Sequence, residues 1–435
     1  MRVRRLELPD ASPRAVGELA AEVRGLQRVP EGLEGDVARI LSDVRTSGDA
    51  AVVELTRRFD SGAASTRYRV SQDEIDEALR SLDGHVREAL EATVANVGRV
   101  AEAELRDPVE VALPQGQSVV LQDVPVGRAG AYVPGGRATY PSTVVMCTVP
   151  ARVAGVAEVA VATPPGRDGK ANPVVLGACA LCGVSEVYLM GGAQAVAALA
   201  YGTETVPAVD VIVGPGSPFV QEAKRQLVGV VGIDGIEGPS ELVVVADAGA
   251  EADVVTLDLA AQAEHGSDSL VALVSPTDDL LGEVARLAPE LTSSRPTVSD
   301  APLALVRVPD LDAAITLANA IAAEHLELAC EEPKRLASAV RTSGCVFLGY
   351  AGGAAFGDYA AGSNHVLPTG GAARFAGPLG TTRFRRRQAL VSLPPAAVRE
   401  LAPLVGSIAR AEGYVVHAES AEARAARVTA GEEEA

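Results

Sequence analysis

Five histidines are spread over 435 residues, and four of them stand beside groups that could share chemistry with them. His265 lies in DLAAQAEHGSD, His325 in IAAEHLEL, His365 in GDYAAGSNHVLPT and His417 in RAEGYVVHAES. Each has a carboxylate or an amide within a few residues. Imidazole titrates near neutrality and is a common metal ligand, so histidines next to carboxylates suit proton transfer, metal binding or both. The expectation is a soluble metalloenzyme whose active site uses these four. His85, in the charged stretch SLDGHVREAL, reads as a surface residue.

Gln262 and His265 are three positions apart in a stretch with helical character, which points both side chains from one face toward a common ion. A helix histidine near a loop is also often structural, and spacing alone leaves both readings open. Zinc sites with an exchangeable position commonly take three protein ligands, and Asp358 and His417 could complete such a set from distant loops. Glu324 and His325 are adjacent at the predicted end of an alanine-rich helix. They fit an acid–base pair, and equally a helix C-terminus in which His325 caps carbonyls. GDYAAGSNHVLPT has the glycines, proline and hydrogen-bonding side chains of a binding loop.

These residues need a scaffold. Apolar residues recur at helical spacing over residues 36–60, and a second charged, periodic stretch covers 73–106, so the first hundred residues are expected to be mostly helical. After Pro114 short β-branched runs alternate with alanine-rich segments: SVVLQDV, VAEVAVAT, VSEVYLM, VDVIVG, ELVVVAD, SLVALVS, LALVRV and CVFLG. Such alternation predicts parallel sheets covered by helices, an α/β architecture. Glycine-rich joints at YVPGGR, MGGAQ, VGPGS and EGPSE fall where ligands bind in such folds, at strand ends. None is a dinucleotide fingerprint, because Gly214-Pro215-Gly216 has Phe219 where a third glycine belongs.

A length of 435 residues favours two or three domains, and 48% apolar with 22% charged residues is a globular balance. A net charge of −19 opposes nucleic-acid binding, leaving Arg383, Arg385, Arg386 and Arg387 as a local basic run, read as a solvated or phosphate-facing surface. The opening MRVRRLELPD has no apolar signal core, and no segment offers twenty lipid-compatible residues, so a cytoplasmic protein with no membrane partner is expected. The five cysteines then read as reduced thiols, with Cys179 and Cys182 of GACALCG as core residues rather than a metal or redox pair. The acidic end GEEEA is expected to be disordered.

Several motifs occur together in one order: AYVPGG, GGAQAVAALAYGT, GPGSPFVQEAKRQ, GPSE, QAEH, AAEHLEL, GDYAAGSNHVLPT with a following AR, and E-x-x-x-x-H near the end. On these the chain resembles the histidinol dehydrogenase family from about residue 30 to 425. The resemblance implies oxidation of L-histidinol to L-histidine through bound L-histidinaldehyde, the last steps of histidine biosynthesis. Two NAD are consumed as co-substrate at a site with one zinc per subunit. It implies Gln262, His265, Asp358 and His417 as metal ligands and Glu324 and His325 as the catalytic pair. Ser240, His365 and Glu412 are then substrate contacts, joined by Gln262, His265, His325, Asp358 and His417. Tyr132, Gln194 and Ser217 are cofactor contacts. Two positions depart from the family pattern: Ser217 stands where asparagine is usual, and Tyr414 where leucine is usual.

The implied fold is two central α/β domains with incomplete Rossmann-like parallel sheets plus small N- and C-terminal segments. The boundaries drawn from it are an arm over 1–27, a first domain over 28–130 and 241–379, a second over 131–240, and a C-terminal segment over 380–435 exchanged across a homodimer with shared active sites. In the implied mechanism His325 takes the hydroxyl proton and Glu324 activates water. Competing readings are a zinc- and NAD-dependent dehydrogenase of another small alcohol, such as a sulfonated diol, a zinc hydrolase, and a non-catalytic binding protein.

Overall fold

The computed structural model describes residues 1–27, 32–61, 66–135 and 138–433. Along the chain, β1 (Arg2–Glu7) leads into four helices, α1 (Pro13–Arg24), α2 (Glu34–Phe59), α3 (Gln72–Ser81) and α4 (Gly84–Ala103). A ribbon of β2 (Val109–Ala112) and β3 (Ser118–Pro125) follows. Then come β4 (Arg128–Tyr132), α5 (Pro141–Val153), β5 (Glu158–Thr163), α6 (Pro173–Leu181), β6 (Glu186–Leu189), α7 (Gly192–Tyr201), β7 (Val211–Val213), α8 (Pro218–Gln226) and β8 (Gly232–Ile233). The next set is β9 (Glu241–Ala246), α9 (Ala252–Glu264), β10 (Leu270–Ser275), α10 (Asp278–Ser294), β11 (Pro302–Arg307), α11 (Leu311–Ile321) and β12 (His325–Ala329). It ends with α12 (Pro333–Ala337), β13 (Cys345–Leu348) and α13 (Ala354–Tyr359). Last are β14 (Arg385–Ser392), α14 (Pro395–Ala411) and α15 (Val415–Glu433).

Two compact units result, one of residues 1–104 and 126–384, the other of 105–125 and 385–435. The first holds two all-parallel sheets, β1-β11-β10-β9-β12-β13 and β6-β5-β4-β7-β8. Their strands are near-continuous apolar runs because helices cover both faces: all six residues of ELVVVA in β9 are buried. Alternation sorts the faces. Val243, Val245, Leu326 and Leu328 pack toward α1 and α11, while Leu242, Val244, Val271 and Leu273 pack toward α9 and α10. On the other sheet Ala129, Ala131, Val161 and Val187 face α3 to α6, and Tyr132, Ala160, Ala162 and Ile212 face α2, α7 and α8.

The second unit is antiparallel, with β14 against β3 and β3 against β2, beside the paired helices α14 and α15. SVVLQDV therefore forms a strand, but in this ribbon and not in a parallel sheet. The basic run is also placed: Arg385 to Arg387 open β14, and Arg387 forms a two-pronged ion pair with Asp123 at 2.9 and 3.0 Å.

The packing differs from the boundaries drawn from sequence in two ways. The arm over 1–27 supplies β1 and α1 to the six-stranded sheet, pairing Val3 with Leu303 and burying Val16 and Val23. Helices α2 to α4, expected with the six-stranded sheet, pack on the five-stranded one instead. Periodicity marks a helix and its apolar face but carries no information about which sheet that face meets. The first periodic stretch is also interrupted, because Gly48 takes φ 51° and ψ −131° inside α2. The acidic end, expected to be disordered, continues α15 as far as Glu433, and Glu434 and Ala435 lie outside the described residues. Among the described residues no helix is long and apolar enough to cross a membrane.

Candidate active site

Within the first unit a cavity of about 540 Å³ is lined by residues of both parallel sheets. The five-stranded sheet presents carboxyl ends: the chain leaves β4 at Tyr132 to reach Pro134, and leaves β7 at Val213 to form Gly214-Pro215-Gly216-Ser217. The six-stranded sheet presents amino ends. Ser240 immediately precedes β9, Ser269 precedes β10, and Glu324 precedes β12, which begins at His325. Ligands were expected at carboxyl ends, and that holds for only half of this cavity.

This orientation sorts the helix dipoles. The amino ends of α5 and α8 meet the cavity at Ser142 and Ser217, and the carboxyl end of α9 meets it at His265. Helix amino ends favour anions and carboxyl ends favour cations. The starts of α5 and α8 thus suit a phosphate-bearing ligand, and the end of α9 a metal ion or an ammonium group.

Glu324 and His325 are not on a helix, as expected from sequence, and His325 caps no helix. The helix α11 ends at Ile321 and Ala322 adopts the left-handed conformation at φ 53°, which turns the chain into β12. Glu324 is 6% exposed and His325 4%. The Glu324 carboxylate accepts the backbone N–H of Glu241 at 2.9 Å and lies 3.7 Å from His325 Nδ1. His325 Nδ1 faces the backbone oxygen of Glu241 at 3.3 Å, which requires the proton on Nδ1 and turns Nε2 to Asp358 at 3.5 Å. Burial pushes Glu324 up to about 8 against the pull of His325. Burial opposes the charge on His325, but the carboxylates of Glu324 and Asp358 outweigh it and carry His325 up to about 9. The two titrate as a pair, and His325, flanked by two carboxylates, is where the proton is favoured.

Asp358 reaches this group from α13, and His265 is the residue that closes α9. His265 Nε2 lies 4.0 Å from Asp358 Oδ2. Gln262, in the last turn of α9, is 3% exposed, and its amide Nε2 has no hydrogen-bond partner among the described residues. Burial pushes His265 below the usual imidazole range despite Asp358, so its ring is neutral at pH 7, the state that ligates metals. His365 is likewise pushed down by burial; its Nδ1 donates to the Asp358 carbonyl at 2.8 Å, and Nε2 accepts from the Thr143 hydroxyl at 3.1 Å. Of the ligands proposed from sequence, His265 and Asp358 both line the cavity, while Gln262 is buried one turn before His265 on α9. Among the described residues no three His, Cys, Asp or Glu are arranged to hold a metal by themselves. His417 and Glu412 belong to the second unit, where Glu412 closes α14 and His417 opens α15 with its ring centroid 5.3 Å from that of Tyr414.

The three proposed cofactor contacts separate. Ser217 is exposed at the start of α8 and lines the cavity. Tyr132 and Gln194 are buried: the Tyr132 hydroxyl accepts from Gly192 N at 3.1 Å, and the Gln194 amide donates to Asp60 at 3.1 Å. A side chain at Gly214, φ 111°, would meet the Tyr132 carbonyl at 2.1 Å, so only glycine lets this loop lie over β4. Gly136 and Arg137 of YVPGGR lie outside the described residues. Cys179 and Cys182 are fully buried in the apolar core.

The sequence pattern of the histidinol dehydrogenase family matches residues 26–425. This chain belongs to that family. A histidinol dehydrogenase of Nitrosomonas europaea is 43% identical over 404 residues, covering 91% of this chain and 93% of that protein. One from Chromobacterium violaceum is 41% identical over 428 residues, covering 96% and 98%. The crystal structure of histidinol dehydrogenase from Elizabethkingia anophelis superposes with a TM-score of 0.89 at 29% identity, over 99% of both chains. Family members are oxidoreductases, and the mixed α/β fold expected for the family is the one observed.

Sequence reading missed Glu241, which touches both Glu324 and His325, although it ends the quoted motif GPSE. It missed Asp60 and Thr143 too, which hold Gln194 and His365. These residues share no local pattern, because each acts through a neighbour remote in the chain.

Proposed function

We propose that the protein oxidises L-histidinol to L-histidine through L-histidinaldehyde, with two NAD as acceptors and zinc at the site. The observation that carries this reading is the buried Glu324–His325 pair, whose imidazole lies 3.5 Å from Asp358, in a cavity met by the carboxyl end of α9 and the amino ends of α5 and α8.

The donor set fits a zinc ion. A neutral imidazole and a carboxylate are group types such a site uses, and Gln262 would add an amide oxygen. Gln262, His265 and Asp358 would hold it with His417, and it would supply a positive charge that orients the amine and imidazole nitrogens of the substrate. The amino end of α8, with the exposed Ser217 beside it, suits the pyrophosphate of NAD.

His325 performs the proton work of the first step. In the form that carries a proton on Nδ1 alone, which grows as pH rises toward the value of about 9 to which His325 is carried, its Nε2 takes the hydroxyl proton of the alcohol as the carbinol carbon loses hydride to NAD, leaving the aldehyde and NADH. Glu324, displaced by burial toward neutrality, takes a proton from water as its oxygen attacks the aldehyde carbon. His325 returns its proton to the aldehyde oxygen, which completes the diol, then takes a diol proton as the second hydride leaves to NAD, and the acid formed gives up its last proton to solvent as the carboxylate.

We also propose that the enzyme is a homodimer in which His417 and Glu412 serve the cavity of the partner subunit. The second unit, which carries both residues, exposes Leu404, Ile408 and Val416 at 52, 63 and 73%, more apolar side chain than a solvated helix pair retains. Purified protein incubated with NAD and histidinol should form two NADH per alcohol consumed. NADH formation with another small alcohol but not with histidinol would overturn the substrate, and hydrolysis without NADH would overturn the class.

A further inference from the structure

Three polar contacts that hold Glu324 and His325 in place converge on Glu241. Its backbone N–H donates to the Glu324 carboxylate at 2.9 Å, and its own carboxylate accepts the Glu324 N–H at 3.3 Å. The two residues therefore clasp each other, backbone to side chain, in both directions. The Glu241 carbonyl faces His325 Nδ1 at 3.3 Å, which selects the tautomer that leaves Nε2 toward the cavity. The Glu241 carboxylate has no solvent exposure and also accepts Gly370 N at 2.9 Å.

A buried carboxylate needs a cation, and here it comes from the amino-terminal helix. Arg24, the last residue of α1, donates from Nη1 and Nη2 to Glu241 at 3.0 and 3.4 Å. Its other N–H groups reach the end of α11: Nε donates to the Ile321 carbonyl at 2.6 Å and Nη2 to the Ala322 carbonyl at 3.0 Å. Those carbonyls flank the turn that swings the chain from α11 into β12, and Ala322 is the one non-glycine residue with positive φ among the described residues. Such a conformation persists only where surrounding groups fix it. One guanidinium thus braces the turn before Glu324 and neutralises the carboxylate that clasps Glu324. A second residue of the segment, Gln27, donates to the Pro239 carbonyl beside Ser240 at 3.0 Å.

We propose that Arg24 is a positioning residue of the active site, acting through Glu241 and the Ile321–Ala322 turn to set the orientation of Glu324 and His325. It precedes the part of the chain that carries the family pattern, which begins at residue 26. A planar fork is required, since four hydrogen bonds leave in fixed directions. Lysine offers one compact charge and cannot reach both the carboxylate and the two carbonyls. The inference rests on the roles proposed for Glu324 and His325.

The test is steady-state kinetics on full-length Arg24→Ala and Arg24→Lys, with wild type, Glu324→Gln and Arg14→Ala alongside. Arg14 lies on the same helix, exposed and paired with Glu18 one turn on. A misplacement of reacting groups by about 1 Å costs about 10²-fold, so kcat should fall roughly 10- to 100-fold in Arg24→Ala while KM for histidinol and NAD moves less than about 3-fold. Millimolar guanidinium added to Arg24→Ala should restore part of the loss, and Arg14→Ala should match wild type. Should Arg24→Ala fail to fold, Arg24→Lys decides, with a kcat at least about 5-fold below wild type expected. A kcat within about 2-fold of wild type in a folded Arg24 variant, or a loss confined to KM, would overturn the inference. Wild type inactive on histidinol, or Glu324→Gln fully active, would instead overturn the catalytic reading beneath it.

Discussion

At the scale of single residues, the site works by placing groups of opposite tendency side by side. Burial disfavours charge on both Glu324 and His325, but only His325 has a second carboxylate, Asp358, to support its proton. This asymmetry divides the labour. Alcohol oxidation consumes no water, so Glu324→Gln should spare the first hydride transfer and slow oxidation of added histidinaldehyde by about 10²- to 10⁴-fold, read as NADH in single turnovers of each half-reaction. Equal losses in both halves would make Glu324 a support for His325 instead. The metal assignment makes a separate demand. His265→Ala should lose bound zinc together with activity, while His85→Ala, at an exposed helix start, should lose neither. Full zinc by elemental analysis in His265→Ala would remove that residue from the ligand set.

Loops and helix ends come next in scale, and two buried charges fix those on the cofactor side. Lys224 on α8 has no solvent exposure; its ammonium donates to the Gly214 carbonyl at 2.7 Å and to Asp234 and Glu237 at 2.5 and 3.3 Å. It binds the GPGS loop to the segment leading into Ser240. Removing one partner of a buried ion group costs about 3–5 kcal/mol, so Lys224→Met should lower the urea midpoint markedly and raise KM for NAD in whatever fraction folds. An unchanged midpoint would mean that Asp234 and Glu237 find other partners. Asp60 supports α7 by accepting Gly191 N at 2.9 Å and the Gln194 amide, and burial pushes it up to about 6 from 3.8. Folded protein therefore binds more protons than unfolded chain between those values. The cost of the charge is complete above pH 6 and fades as pH falls toward 3.8, with a ceiling of about 3 kcal/mol. Asp60→Asn should gain stability relative to wild type as pH rises from 4 to 8, followed by urea unfolding. A difference that stays constant over that range would mean Asp60 is not the group responsible.

For the whole molecule, the proposed function joins the cavity residues of one unit with the His417–Glu412 pair of a partner subunit. If the pair comes from a partner subunit, a mixture of inactive Glu324→Gln and inactive His417→Ala proteins should form heterodimers with one intact site. Activity should return toward about a quarter of wild type if exchange is statistical, since half of the dimers are then mixed and each has one working site of two. Continued inactivity in a mixture that native mass spectrometry finds to contain heterodimers would assign both residues to their own subunit.

The sequence by itself determined most of the local structure. Eight β-branched runs are strands, the helical spacing before residue 106 is helix, and the spacing of Gln262 and His265 does put both at one helix end. Such features are set by side-chain periodicity and by the size and shape of individual residues, and both are written along the chain. The tertiary structure alone decided which sheet α2 to α4 cover, that β1 and α1 join the six-stranded sheet, and that Glu324 and His325 begin a strand instead of ending a helix. It alone revealed the contact of Arg24 with Glu241, 217 positions away in the chain. Pairing across that distance depends on how two sheets and their covering helices pack, and neither a residue's type nor its neighbours in sequence encode it.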